Sequence, residues 1–486
     1  MSPHFDNSYA QLPERFYARQ SPVPVADPGL IRINHGLARH LGIDPAWLES
    51  EEGVNTIAGN HVPDGADPIA MVYAGHQFGS WNPRLGDGRA ILLGEVIGAD
   101  GERYDIQLKG SGITPFSRSG DGRAPLGPIL REYLVSETMA ALGVPSSRTL
   151  AAVTTGESVY REAKLAGAVL IRVAKSHIRF GTLQYFASVQ DLDGLQLLID
   201  HVIARHYPAA ADADNPAQSL FEQVAKRLAE LVAYWQSVGF IHGVMNTDNM
   251  LLSGETIDFG PCAFMDGYDS AAVYSSIDHG SRYAYRNQPA IAHWNLSCLA
   301  QTLLPFFADD TDTATKLAQA ALESFPGLYQ AAYLARMRLK FGLTTTDADD
   351  EVLIQDFLDL LESGHHDFTL AFRRLGEFPA DSDGIKSLFD FPESFTPWLE
   401  RWQERCVREA VDPAHRREQM LAINPAFIAR NHLVEKAIAM AYDGDFSFFH
   451  RLLERVEQPF DYSPNDASLA KPPGPDQIVQ QTFCGT

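Results

Sequence analysis

A chain of 486 residues exceeds one ordinary domain, so a catalytic body with a sizeable extra part, or two closely packed lobes, is expected. Its 45% apolar and 21% charged residues are globular values, and no run approaches the roughly 18 uncharged apolar residues of a membrane helix. A formal charge of -23 argues against general nucleic-acid binding, which needs surfaces rich in Lys and Arg to neutralise phosphates.

After an irregular, Pro-containing opening, "AMVYAGHQFG" (70 to 79), "AILLGEVI" (90 to 97) and "YDIQLKG" (104 to 110) are short apolar or alternating runs that predict strands of one sheet. A hairpin turn at "GADGER" joins the second to the third. The spacing of "GPILREYLVSETMAALGV" (127 to 144) predicts a helix ending at Gly143, and "TLAAVTTG" and "AVLIRVA" are further strand candidates. Strands, one helix, then strands is the order of a kinase N-lobe. From "SLFEQVAKRLAELVAYWQSVGF" (219 to 240) onward the pattern is helical, including 313 to 323, 350 to 363, 394 to 410 and 430 to 456, and the end is Pro-rich. The expected fold is therefore α+β, protein-kinase-like and bilobal. It divides into an N-terminal extension (1–65), a β-rich N-lobe (66–215), a helical C-lobe with additional C-terminal helices (216–460) and a tail (461–486).

The chemistry concentrates in "HGVMNTDNMLLSGETIDFGP" (242 to 261), which has the form of a kinase catalytic loop followed by an Asp-Phe-Gly metal loop. Two places after His242, where a kinase has its catalytic Asp, stands Val244. Asp258 and Asn249 are candidate ligands for Mg²⁺, with Mn²⁺ as the alternative ion, because a hard cation needs only a carboxylate, an amide oxygen and phosphate oxygens beside its waters. The loop's other acid, Asp248, either accepts the hydroxyl proton or tightens the turn, and the base is the preferred role. His242 is assigned to packing.

Lys109 ends an alternating run as the phosphate-neutralising kinase lysine does. Its helix partner is Glu132, with Glu137 in reserve, since five residues separate them by about 140° around the axis and only one can face Lys109. "LGDGRA" (85 to 90) and "SGDGRAPLG" (119 to 127) are twin elements whose glycines admit a phosphate and whose arginines fork towards oxyanions, although each alone would pass for a hairpin turn. Arg84 to Arg179 holds 13 Lys and Arg against 10 Asp and Glu, a local excess of +3 in an acidic chain.

Together with "NPRLGDGRA", "QLKGSGITPFSRSGDGRAPLGPILREYLVSE" and "IRFGTLQYF", these motifs resemble the selenoprotein O family across most of the chain. Members resemble kinases in fold, lack the usual catalytic Asp, bind ATP in reversed orientation and transfer AMP to protein hydroxyls. The resemblance implies that Gly86, Gly88, Arg89, Lys109, Asp121, Gly122, Arg172, Arg179 and Asp258 contact ATP. It also implies Mg²⁺ on Asn249 and Asp258, and Asp248 as proton acceptor. Many members carry selenocysteine near the C-terminus, where this chain has Cys484. A Cys262–Cys484 disulfide pinning the tail is one reading and two unrelated thiols the other.

The expected function is transfer of AMP to Ser, Thr or Tyr hydroxyls of proteins, the enzyme itself included. Kinase-type phosphoryl transfer and a non-catalytic ATP-binding scaffold are the alternatives. The four cysteines lack metal-cluster or disulfide-framework spacing and the N-terminus lacks an apolar leader core, so a cytoplasmic protein is expected; a monomer with no nucleic-acid or membrane partner is the accompanying expectation.

Overall fold

The computed structural model of the protein describes residues 2–378, 382–388 and 392–483. Its first third builds one antiparallel sheet from β1 (Tyr17–Arg19), β2 (Gly29–Ile33), β3 (Ile69–Met71), β6 (Ala90–Ile97), β7 (Arg103–Lys109), β9 (Arg148–Tyr160) and β10 (Lys164–Ala174). The order is β1-β3-β6-β7-β10-β9-β2, and β8 (Ala124–Pro125) pairs beside it with β10. Two short strands, β4 (Gly75–Gln77) and β5 (Ser80–Asn82), form a separate hairpin.

The sheet is covered on both faces, which explains why β6 reads as apolar almost throughout. On one side Leu93, Leu108, Val153 and Val173 pack against Leu37, Leu41 and Ile57 of the N-terminal segment. On the other, Leu92, Ala152 and Leu170 share a core with Ile129, Leu130, Tyr133 and Leu134 of the helix Leu126–Ala141. That helix stops where the sequence provides Gly143, at φ +81.

Below the sheet, helices Pro216–Ser237, Gln288–Phe307 and Thr311–Lys340 pack on one another. Asn215 caps the first by accepting from Gln218 N. The run 70 to 79, predicted as strand of the one sheet, divides into β3 in that sheet and β4 in the separate hairpin, and two helical spans also differ from the pattern-based expectation. The helix predicted over 313 to 323 runs on to Lys340 through Pro326, because Phe325 and Met337 on either side are buried in two cores and outweigh the lost backbone bond. The helix predicted over 430 to 456 is two, Asn431–Tyr442 and Ser447–Val456, parted at Gly444 with φ +88. Past residue 461 the chain folds back. Leu469 and Ala470 are buried, and Thr482 donates to Tyr274 O at 2.7 Å and through its hydroxyl to Pro261 O at 2.5 Å. Among the described residues no helix is long and apolar enough to cross a membrane.

Candidate active site

Between sheet and helices lies a cleft of about 540 Å³, and Gly86, Gly88, Arg89, Lys109, Asp121, Gly122, Arg172, Arg179, Asp248, Asn249 and Asp258 all line it. Residues distant in sequence therefore meet on one concave surface. The glycines are needed for space as well as conformation. Gly86 sits at φ +77 with a would-be Cβ 2.3 Å from the Phe116 ring, and Gly122 at φ +66 with one 2.0 Å from Gly112 O.

Lys109, at the end of β7, forms a buried ion pair with Glu132 of the adjoining helix, and Arg172 of β10 reaches the same carboxylate at 2.6 Å. Glu137 faces the other way, taking Arg148 at 2.5 Å, Thr149 N at 2.9 Å and Asn34 at 2.7 Å. Burial pushes the Glu132 carboxyl up, but Arg172 and Lys109 outweigh it and hold the group below its ordinary value. Burial drives the Lys109 ammonium down more than Glu132 raises it, with Arg172 and Arg89 adding to the fall.

In the loop that carries Asp248, Val244 is buried and offers only backbone. Its carbonyl takes Asn249 Nδ2 at 3.0 Å and Asn246 N at 2.8 Å. His242 is fully enclosed, its backbone N–H bonded to Gln288 Oε1 at 3.0 Å and its ring 5.3 Å from that of Trp235, the surroundings of a packing residue. Asp258 adopts a left-handed φ of +67, a conformation rare outside glycine. Burial raises its carboxyl, yet Lys109, Arg172 and Arg89 prevail and hold it at about 2, so it is an anion.

Asp248 has the contrary environment. Burial pushes its carboxyl up to about 6, against Gln77 and Arg179. Gln77 Nε2 donates to Oδ2 at 3.1 Å, while Oδ1 has no hydrogen-bond partner. Arg179 Nη1 holds the Asp248 carbonyl at 2.7 Å, its guanidinium 4.4 Å from the Tyr73 ring centroid.

Sequence reasoning passed over several lining groups. Asp87 belongs to the first Gly-Asp-Gly-Arg element, is buried, and accepts from Met71 N at 3.1 Å with Arg179 3.6 Å away. In the second element Asp121 pairs with Arg161 at 2.9 Å, and Arg123 turns from the cleft centre to the carbonyls of Val23 and Pro24, both at 2.9 Å. The equivalence of the twin motifs could have flagged Asp87 from Asp121. Nothing local could have flagged Gln77. Cys262 is buried with Sγ 3.2 Å from Phe259 O, and Cys484 lies outside the described residues.

A kinase-like α+β body with cations gathered around a cleft between sheet and helices has the character of a nucleotide-dependent transferase. The sequence profile of the protein adenylyltransferase SelO matches residues 1–457, and the chain belongs to the SelO family. Similar relatives include the protein nucleotidyltransferase YdiU of Rhodopseudomonas palustris (strain BisB5), 56% identical over 486 residues and 99% of both chains. YdiU of Bradyrhizobium diazoefficiens is 56% identical over 485 residues, and that of Methylorubrum extorquens (strain PA1) 55% over 492, each match again covering 99% of both chains.

Proposed function

We propose that this enzyme transfers AMP from ATP to Ser, Thr or Tyr hydroxyls of proteins. The observation that carries the reading is a buried Val244 where a kinase has its acid, together with Asp248, a residue lining the cleft whose buried Oδ1 has no hydrogen-bond partner. The hydroxyl oxygen attacks the α-phosphorus, the bond to the β-phosphate breaks, pyrophosphate leaves, and Asp248 takes the hydroxyl proton. Lys109, Arg172 and Arg179 stand as fixed cations against the charge that develops on the leaving pyrophosphate. Gly86, Gly88, Arg89, Asp121 and Gly122 complete the nucleotide contacts, and Glu132 holds Lys109 and Arg172 in place.

The residues present fit Mg²⁺ in a particular way. Among the described residues no cluster of three His, Cys, Asp or Glu is arranged for a metal, but an ionised Asp258 beside the Asn249 amide is the sparse oxygen set of a cation that arrives with nucleotide phosphates. When bound, the ion would neutralise phosphate charge and orient the phosphate chain. The acceptors we propose are hydroxyl-bearing proteins, the enzyme included, and the working state a cytoplasmic monomer.

ATP labelled at the α- or the γ-phosphate tests the reaction. α-Label on protein without γ-label, lost in Asp258→Ala, is the expected result. γ-Label would mean phosphorylation, and neither label despite bound ATP would mean a scaffold.

A further inference from the structure

The hairpin of β4 and β5 lies 171 residues before the catalytic loop in sequence and is fastened to it by three consecutive residues. His76 N donates to Thr247 Oγ1 at 2.7 Å, Phe78 N to Asn246 Oδ1 at 3.0 Å, and between them Gln77 Nε2 to Asp248 Oδ2 at 3.1 Å. The backbone bonds fasten the hairpin. The Gln77 side chain is then aimed at the one carboxylate of the loop, and both groups line the cleft. Gly75 lets the strand come this near, since a Cβ there would lie 2.5 Å from Asp248 Oδ1.

A carboxylate turns about its last torsion unless something pins it, because that torsion is broad. Among the described residues Gln77 is the side chain that hydrogen-bonds the Asp248 carboxylate. We propose that Gln77 is a positioning residue for AMP transfer: its amide N–H fixes the plane of the Asp248 carboxylate so that the lone pairs left over meet the incoming hydroxyl. The inference rests on the reading of Asp248 as proton acceptor. An amide suits the role, since it donates without bringing a charge to the nucleotide, whereas a Lys or Arg would compete for phosphate.

The test compares Gln77→Met, which keeps length and neutrality but loses the donor, with Gln77→Leu, which also shortens and branches the side chain. Purified full-length protein is assayed for transfer of α-label to protein, with kcat, KM for ATP and the unfolding midpoint measured for each variant. Misplacing a reacting group by about 1 Å can lower a rate about 100-fold, so both variants are expected to lose kcat by roughly 10- to 100-fold. KM for ATP and the unfolding midpoint should stay near those of the unmodified enzyme. A residue that merely packed the hairpin would tolerate Gln77→Met, so full kcat in that variant overturns the proposal while leaving AMP transfer intact. Loss of ATP binding and stability in step with kcat overturns it in favour of a structural role. If the unmodified enzyme binds ATP but transfers no α-label, the proposed reaction falls, and this inference with it.

Discussion

Gly75 lies so close to Asp248 that a Cβ on the glycine would stand 2.5 Å from the carboxylate Oδ1 and 2.9 Å from its Cγ. Backbone and acid occupy space that no larger residue can share. Gly75→Ala must therefore move either the hairpin or the acid. Overpacking of this kind destabilises by about 1–3 kcal/mol, and displacement of Asp248 adds a loss of turnover beyond that expected from stability. Thermal unfolding and α-label transfer, measured on the same preparation, check both; normal turnover would show that Asp248 is not a group whose placement matters.

The two helix acids give a sharper contrast. Glu132→Gln leaves Lys109 and Arg172 buried against a neutral amide, and breaking a buried pair in this way typically destabilises by about 3–5 kcal/mol. ATP binding should weaken as well, because both cations line the cleft. Glu137→Gln releases Arg148, which is partly exposed and can be rehydrated, so a smaller loss of stability is expected with ATP affinity unchanged. Denaturant unfolding and nucleotide titration of the pair separate the roles.

Much of this arrangement was legible in the sequence, for identifiable reasons. Lys109 closes an alternating strand, the 140° separation of two acids on a helix forces a choice, and Asp258 follows Asn249 by only nine residues. The strand Ala90–Ile97 and the helix Asp350–Ser363 fall where the pattern put them, because turn residues flank the first and one helix face is apolar in the second. Other elements carry no such signal. Strand β1 has three residues, and the helix Gln288–Phe307 buries residues on several sides, which erases the period that marks an amphipathic helix. Gln77 fell within a run read as strand, "AMVYAGHQFG". Its partner is 171 residues away, and no local pattern encodes that contact.

A different buried acid governs stability in acid. Burial pushes the Asp105 carboxyl up, but Arg205 at 2.5 Å and His177 at 3.0 Å overcome it and hold the group well below the usual carboxylate range. A carboxyl depressed in the folded state stabilises above its unfolded value, near 3.9, and that contribution is lost as pH falls through the lower folded value. Asp105→Asn is therefore expected to be less stable than the unmodified protein at pH 7 by about 3–5 kcal/mol. The difference should narrow steadily below about pH 4, where protonation of unfolded Asp105 begins to favour unfolding of the unmodified chain. Unfolding midpoints across this range give the answer, and a gap independent of pH would assign the loss to shape rather than charge.

The metal assignment makes a prediction of opposite signs. Asp258 carries a full negative charge in a cleft whose other walls supply Lys109, Arg89 and Arg172. Without a divalent ion this carboxylate repels the phosphates, so in excess chelator Asp258→Ala should bind ATP at least as tightly as the unmodified enzyme. With Mg²⁺ the order should reverse, because the carboxylate then holds the ion that the phosphates share. A tenfold gain on adding Mg²⁺ corresponds to about 1.4 kcal/mol, and the unmodified enzyme should show at least that while Asp258→Ala shows little. Titration of a fluorescent ATP analogue with and without chelator reads both signs in one experiment. Were Asp258→Ala to keep the full Mg²⁺ response, the ion would have to be held by other oxygens, and Asp258 would instead serve to hold Lys109, Arg89 and Arg172 together by charge.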